Sequence, residues 1–168
     1  ILIYGDEAGV TLDSTITTVW GIKGKQPVIS SISGRGRVHL VGFVEPESGN
    51  CNVYRAERGN SDNFLLALNR LYELYKYVKQ KVILVVDNAR WHHAKRVKEW
   101  ISKHPLFELI YLPPYSPDLN PMERQWWYMR KRATHTILFD TLEECWNRIN
   151  NHFLSMTKEQ VVTLCQID

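Results

Sequence analysis

Four prolines discipline the segment Leu112–Glu123, which reads Leu-Pro-Pro-Tyr-Ser-Pro-Asp-Leu-Asn-Pro-Met-Glu. Proline fixes φ near −65° and removes a backbone donor, so the short strand at Leu109–Leu112 must stop before Pro113. Asn120 ahead of Pro121 opens a helix, since proline is pre-organised for a first helical position. Strand, stiff turn and helix are thus set in order, and Glu123 falls in the helix's first turn.

Two other runs end in carboxylates. Ile1–Gly5 is apolar and leads to Asp6, and Val82–Val86 is wholly apolar and leads to Asp87. Both read as buried strands, the second as a central one. Arg37–Val44 and Asn52–Glu57 flank Pro46–Asn50 and read as a hairpin. Asp13–Ile32 reads as an irregular, strand-containing insertion. Ser61 reads as an N-cap for an amphipathic helix over 62–79, with Phe64, Leu68, Leu71, Tyr75 and Val78 at helical spacing. Ala94, Val97 and Ile101 mark a helix that stops before Pro105. Met122, Trp126, Met129 and Ala133 form the core stripe of the helix from Pro121. Thr141 with Glu144, and Thr157 with Gln160, are capping-box pairs opening two more helices. A hairpin meander followed by β-α-β units predicts an α/β fold, a mixed β-sheet flanked by α-helices.

The 168 residues, 44% of them hydrophobic, suffice for one domain spanning 1–168 with a real core. A net charge of +3 permits a polyanionic partner, but 21 basic against 18 acidic residues leave local clusters to supply the affinity. Cys51, Cys145 and Cys165 are odd in number and lack a CxxC pair, which disfavours a disulfide framework or zinc knuckle and suits a reducing cytoplasm. No apolar run reaches the ~18 residues of a membrane span, and no secretion signal is present. The chain opens directly in a strand, which reads as an excised domain or a truncated reading frame.

Each carboxylate has an ordinary reading beside a chemical one. Asp6 could open a turn towards Gly9, Asp87 could cap the helix beyond, and Glu123 could close a capping box on Asn120. Together, carboxylates from two strand ends and a helix start suit hard divalent cations. Two such ions ~3.5–4 Å apart support in-line displacement at phosphorus. Glu7 points to the other side of an extended chain and is expected outside the site. Asn88, His92 and Asn120 are candidates to orient the carboxylates or form turns, although His92 could equally stand in solvent. Trp91, Trp126 and Trp127 read mainly as core or core-edge aromatics. Lys95, Arg96 and Lys98, then Arg124, Arg130, Lys131 and Arg132, flank the carboxylates and are candidates for tracking a phosphate backbone. Lys23, Lys25, Arg35 and Arg37 frame the insertion. All three groups could equally be solvated charges.

Asp6-Glu7 after the first strand, Asp87-Asn88-Ala89 with His92 beyond, and the Leu112–Glu123 motif with Trp126 after it resemble the catalytic domain of IS630-type transposases of the Tc1/mariner group. The resemblance runs from Ile1 to about Arg132. It implies a ribonuclease H-like fold with the first and fourth strands adjacent, and it assigns the catalytic triad to Asp6, Asp87 and Glu123. It further implies two Mg²⁺ or Mn²⁺ ions, cleavage at transposon ends, joining of the freed 3′-OH to target DNA at a TA step, and homodimeric action. The family's N-terminal helix-turn-helix modules have no counterpart here, so specific end recognition is not expected of this chain. Another ribonuclease H-like nuclease, or an inactive DNA-binding domain, are the competing readings.

Overall fold

The computed structural model describes residues 1–12, 23–25 and 36–166. Most of the 13–32 insertion, and Arg35, lie outside them. Strands β1 (Leu2–Thr11), β2 (Arg37–Glu45) and β3 (Asn50–Ala56) are followed by helix α1 (Ser61–Tyr75), strand β4 (Val82–Val86), helix α2 (Lys95–Lys103) and strand β5 (Phe107–Tyr111). A short 3₁₀ turn (Pro117–Leu119) leads into α3 (Pro121–Met129), which runs into a π-helical turn (Arg130–Thr134) before α4 (Leu142–Ser155) and α5 (Lys158–Cys165).

The five strands lie in the order β3-β2-β1-β4-β5. Pairing is antiparallel across β3, β2 and β1 and parallel across β1, β4 and β5. This is the mixed, helix-flanked sheet expected, with first and fourth strands adjacent, and it has the ribonuclease H-like arrangement. Alternation along β1 decides which side chain meets which layer. Ile3 joins Phe64, Leu68, Leu84 and Val97 under α1 and α2. Val10 and Leu12 join Leu40, Met122, Trp126 and Ile149 under α3, α4 and α5. The expected stripe of Met122, Trp126, Met129 and Ala133 is buried as a unit, each large member contributing about 1.5–3 kcal/mol.

Three local expectations are corrected. First, β1 does not end at Gly5. It pairs with β4 only over Leu2–Tyr4 but continues along β2 from Tyr4 to Thr11. Gly5, read as the end of the strand, is a packing residue within it: Phe43 Cδ1 and Cε1 stand 3.0 Å from where its Cβ would be. Second, the cap of α1 is Asn60, whose Oδ1 accepts from the Asn63 amide at 2.9 Å, and Ser61 is already helical. That helix ends at Tyr75, and Val78 reaches the core from the turn leading to β4. Third, Thr141 accepts from the Glu144 amide, but the Glu144 carboxylate turns back to the Asp140 amide rather than to Thr141. Thr157 and Gln160 do close their box in both directions. Among the described residues, no helix is long and apolar enough to cross a membrane.

Candidate active site

Because β4 stops while β1 runs on, the sheet opens a gap just past the last β1–β4 pair. Asp6 lies in that gap, mid-strand, opposite Gly42 of β2. Its side chain is 7% exposed and accepts a hydrogen bond of 2.9 Å from the indole Nε1–H of Trp126. Gly42 makes room for this contact. A Cβ there would stand 2.6 Å from Trp126 Cη2, closer than real side chains come.

Asp87 follows β4 directly and is half-exposed. Its Oδ1 accepts from the Ala89 amide at 2.9 Å and meets His92 Nδ1 at 2.9 Å. The other ring nitrogen, Nε2, meets Glu7 Oε1 at 2.9 Å, and the same Glu7 oxygen accepts from Trp91 Nε1 at 3.0 Å. Thus His92, which could have stood in solvent, is fully buried, its ring tilted against that of Phe64 with centroids 4.3 Å apart. It is enclosed because α2 starts only at Lys95, and the turn over residues 90–93 folds inward ahead of it.

Glu7 does point to the opposite side of β1 from Asp6, as alternation requires, yet it reaches the site through His92. Burial pulls the His92 pKa down, but hydrogen bonds to Asp87 and Glu7 outweigh it and lift it to about 10. At neutral pH the ring is an imidazolium between two carboxylates. The His92 contact, opposed by burial and aided by the Ala89 amide, holds Asp87 below the usual carboxylate range. Glu7, Asp87 and His92 bring donor atoms within 4.8 Å of one another. Both imidazole nitrogens are engaged by carboxylates, so His92 has no ring nitrogen left for a metal and relays contact between Glu7 and Asp87.

Glu123 is exposed on the first turn of α3. Asn120 caps that helix by accepting from the Met122 amide at 3.1 Å, while the Asn120 amide goes to Pro117 O. Glu123 therefore does not close the capping box that the spacing suggests, and its carboxylate is not spent on the helix end. Asn120 also donates from Nδ2 to Gly5 O at 3.2 Å, tying α3 to β1 beside Asp6. Asn88 donates to Leu112 O, and the Leu112 amide to Val86 O, tying the end of β4 to the proline turn. Two asparagines thus lash together the elements that carry the carboxylates.

Asp6, Asp87 and Glu123 line one cleft of about 450 Å³, walled on the other side by Pro113–Pro117. Tyr115 stands there fully exposed, at φ +56° in the left-handed region. Burial, followed by the charges of Glu123 and Glu7 and more weakly of Asp87, raises the Asp6 pKa to about 8. No lysine or arginine lines this cleft among the described residues. Carboxylate oxygens lining one cleft suit a hard divalent ion, and Asp6, Asp87 and Glu123 are the residues that could hold it once drawn together.

The basic candidates divide between the two faces of the sheet. Lys95 and Arg96 open α2, where Arg96 pairs with Asp62 and Lys95 lies 3.8 Å from Glu99. Arg124, on α3, donates to Gln166 O. In the π-turn, Lys131 Nζ lies 3.9 Å from the Trp127 ring centroid and the Arg132 guanidinium 5.4 Å from that of Tyr128, while Arg130 is half-buried. The roles of Glu7 and Trp126 escaped sequence reasoning. The available signals were the Asp6-Glu7 pair and the i,i+3 spacing of Glu123 and Trp126 on one helix face.

The profile of the DDE superfamily endonuclease family matches residues 1–146. An uncharacterised 39 kDa protein of insertion element IS630 from Shigella sonnei is 29% identical over 125 residues, covering 74% of this chain and 36% of that protein. The Tcb2 transposase of Caenorhabditis briggsae is 30% identical over 86 residues, covering 48% of this chain and 31% of that one. The chain therefore spans about a third of the length of these relatives. Among solved structures, a Mos1 mariner paired-end complex with Mn superposes with a TM-score of 0.73 at 20% identity, covering 98% of this chain and 51% of that one. The Mos1 catalytic domain gives 0.67 at 19%, covering 98% and 74%. These two likenesses establish a shared fold, and the profile match, spanning all three carboxylates of the cleft, places the chain within the DDE superfamily endonuclease family.

Proposed function

We propose that this domain cleaves DNA at transposon ends and joins the freed 3′-OH to target DNA, with Asp6, Asp87 and Glu123 holding two Mg²⁺ or Mn²⁺ ions. The observation that carries the reading is the state of Asp6. It is a buried carboxylate, crowded by Glu123, Glu7 and Asp87, whose charge is disfavoured until a cation arrives. The Mos1 complexes with Mn and with Mg support the choice of metal.

Such ions neutralise the phosphate and acidify the attacking water when bound. The chain's own residues prepare the site in three ways. Trp126 fixes one oxygen of Asp6, while His92 and the Ala89 amide fix Asp87. Glu123, exposed and free of the cap, completes the donor set from the helix. His92 is protonated and enclosed, so it orients Asp87 and is no proton acceptor. DNA is the partner, the full enzyme works as a homodimer on paired ends, and the setting is the bacterial cytoplasm.

Calorimetric titration of the domain with Mn²⁺, alongside Asp87→Asn, tests this reading. Saturable binding that the substitution abolishes is expected. Equal binding by both proteins would remove Asp87 from the site. Strand transfer to duplex DNA, as opposed to hydrolysis alone, separates a transposase from another ribonuclease H-like nuclease.

A further inference from the structure

Trp126 and Trp127 are neighbours in sequence with opposite fates. The first is fully buried against Asp6, whereas the second is 52% exposed. Trp127 lies four residues beyond Glu123, on the same face of α3 and about 6 Å further along its axis. Both line a second depression, about 460 Å³, together with Pro117, Asp118, Asn120 and Arg124. Pro117, Asn120 and Glu123 also line the carboxylate cleft, so the two hollows are neighbours that share these residues. Lys131 covers the indole at 3.9 Å from the ring centroid but does not line the depression. One side of the ring thus carries a cation, while Trp127 also forms part of the wall of the hollow.

We propose that Trp127 is a stacking shelf for an unpaired nucleobase next to the phosphate held at the carboxylates, with Arg124 and Lys131 steering the adjoining backbone. The proposal rests on the DNA-cutting reading above. The chemistry of the hollow chooses between base and phosphate. Asp118 and Glu123 outnumber Arg124 in its lining and disfavour an anion there, while an exposed indole offers area to an uncharged aromatic ring. Arg124 lines the hollow and Lys131 covers the indole, so both lie beside a base stacked there. An exposed tryptophan held by a lysine is also already ordered, so little rotamer freedom is lost when a base settles on it.

The test uses the full chain and a short duplex with a 3′ single-stranded tail, carrying 2-aminopurine in turn at each tail position. Wild-type protein should quench the probe at one position beside the terminal phosphate. Trp127→Ala should abolish that quenching and weaken binding roughly 5- to 150-fold, the range for losing one base–aromatic stack. Trp127→Phe should retain most of both, and Tyr77→Ala, on a remote exposed tyrosine, should change neither. Undiminished quenching and affinity in Trp127→Ala would overturn the shelf, and so would quenching spread evenly over all tail positions. If Trp127→Ala behaves as wild type while Asp87→Asn abolishes cleavage, the shelf fails and the catalytic reading stands. If wild-type protein binds no DNA, both fail.

Discussion

Glu7 and Asp87 never touch, yet they are coupled through opposite nitrogens of one imidazole. His92 meets Glu7 Oε1 through Nε2 and Asp87 Oδ1 through Nδ1, each at 2.9 Å. The buried ring carries the orientation of Glu7, on the inner face of β1, to a carboxylate at the mouth of the cleft. Removing charge from one end should therefore be felt at the other.

Glu7→Gln preserves the shape of that end and removes its charge. The His92 pKa should fall from about 10, and Mn²⁺ should bind about 10- to 100-fold more weakly, the usual loss for an outer-shell partner. NMR titration of the imidazole and calorimetry read the two effects. An unshifted His92 with unchanged affinity would show that the relay positions nothing.

Asp87→Asn and Glu123→Gln should each abolish metal-dependent DNA cleavage while leaving the fold in place. Glu123 is exposed, so its variant should change stability by less than about 1 kcal/mol. Asp87→Asn also takes a carboxylate from the buried His92 and should cost more without unfolding the domain. Urea denaturation and a plasmid-nicking assay in Mn²⁺ check this. Full activity in either variant refutes its assignment.

The metal-free domain should lose stability as pH rises. Asp6 is raised from 3.8 to about 8, so the native state holds its proton more tightly than the unfolded chain. Its contribution is complete below pH 3.8 and is lost as pH climbs through 8. His92, raised from 6.5 to about 10, acts in the same sense, complete below 6.5 and lost through 10. The urea midpoint should fall between pH 6 and pH 9, and Asp6→Asn should remove much of the fall up to pH 8. Mn²⁺ should restore stability and release protons when it binds near neutral pH. A flat midpoint across that range contradicts the proposed burial of charge.

Gly42→Ala should cost about 1–3 kcal/mol, because the new methyl drives into Trp126 in a packed layer. It should also weaken Mn²⁺ binding, since the displaced indole no longer fixes Asp6. Denaturant midpoints and calorimetry on the same variant test both halves. A loss of stability with unchanged metal affinity would separate packing from positioning.

Much of this architecture was legible in the sequence because local signals agreed with the global pattern. Val82–Val86 had to be a buried strand, the prolines had to stop β5 and start α3, and both features point their carboxylates at one end of the sheet. What escaped depended on residues distant in the chain. The continuation of β1 past Gly5 is imposed by pairing with β2, whose side chain at Phe43 needs the space that Gly5 leaves. Asn120-x-x-Glu123 has the spacing of a capping box, but Pro117 O takes the amide that would have completed it. His92 was ambiguous because burial of a histidine depends on what lies across the fold, in this case Glu7.

The hydrogen bond from Trp126 to Asp6 spans 120 positions of the chain. During synthesis the first strand leaves the ribosome long before the helix that must cover it, and closing so long a loop is slow relative to forming local structure. A nascent chain that stops before Asn120 has neither Trp126 to shield Asp6 nor the Glu123 turn that Asn120 fastens to Gly5. The carboxylate cluster is therefore withheld from any translation product that ends before α3.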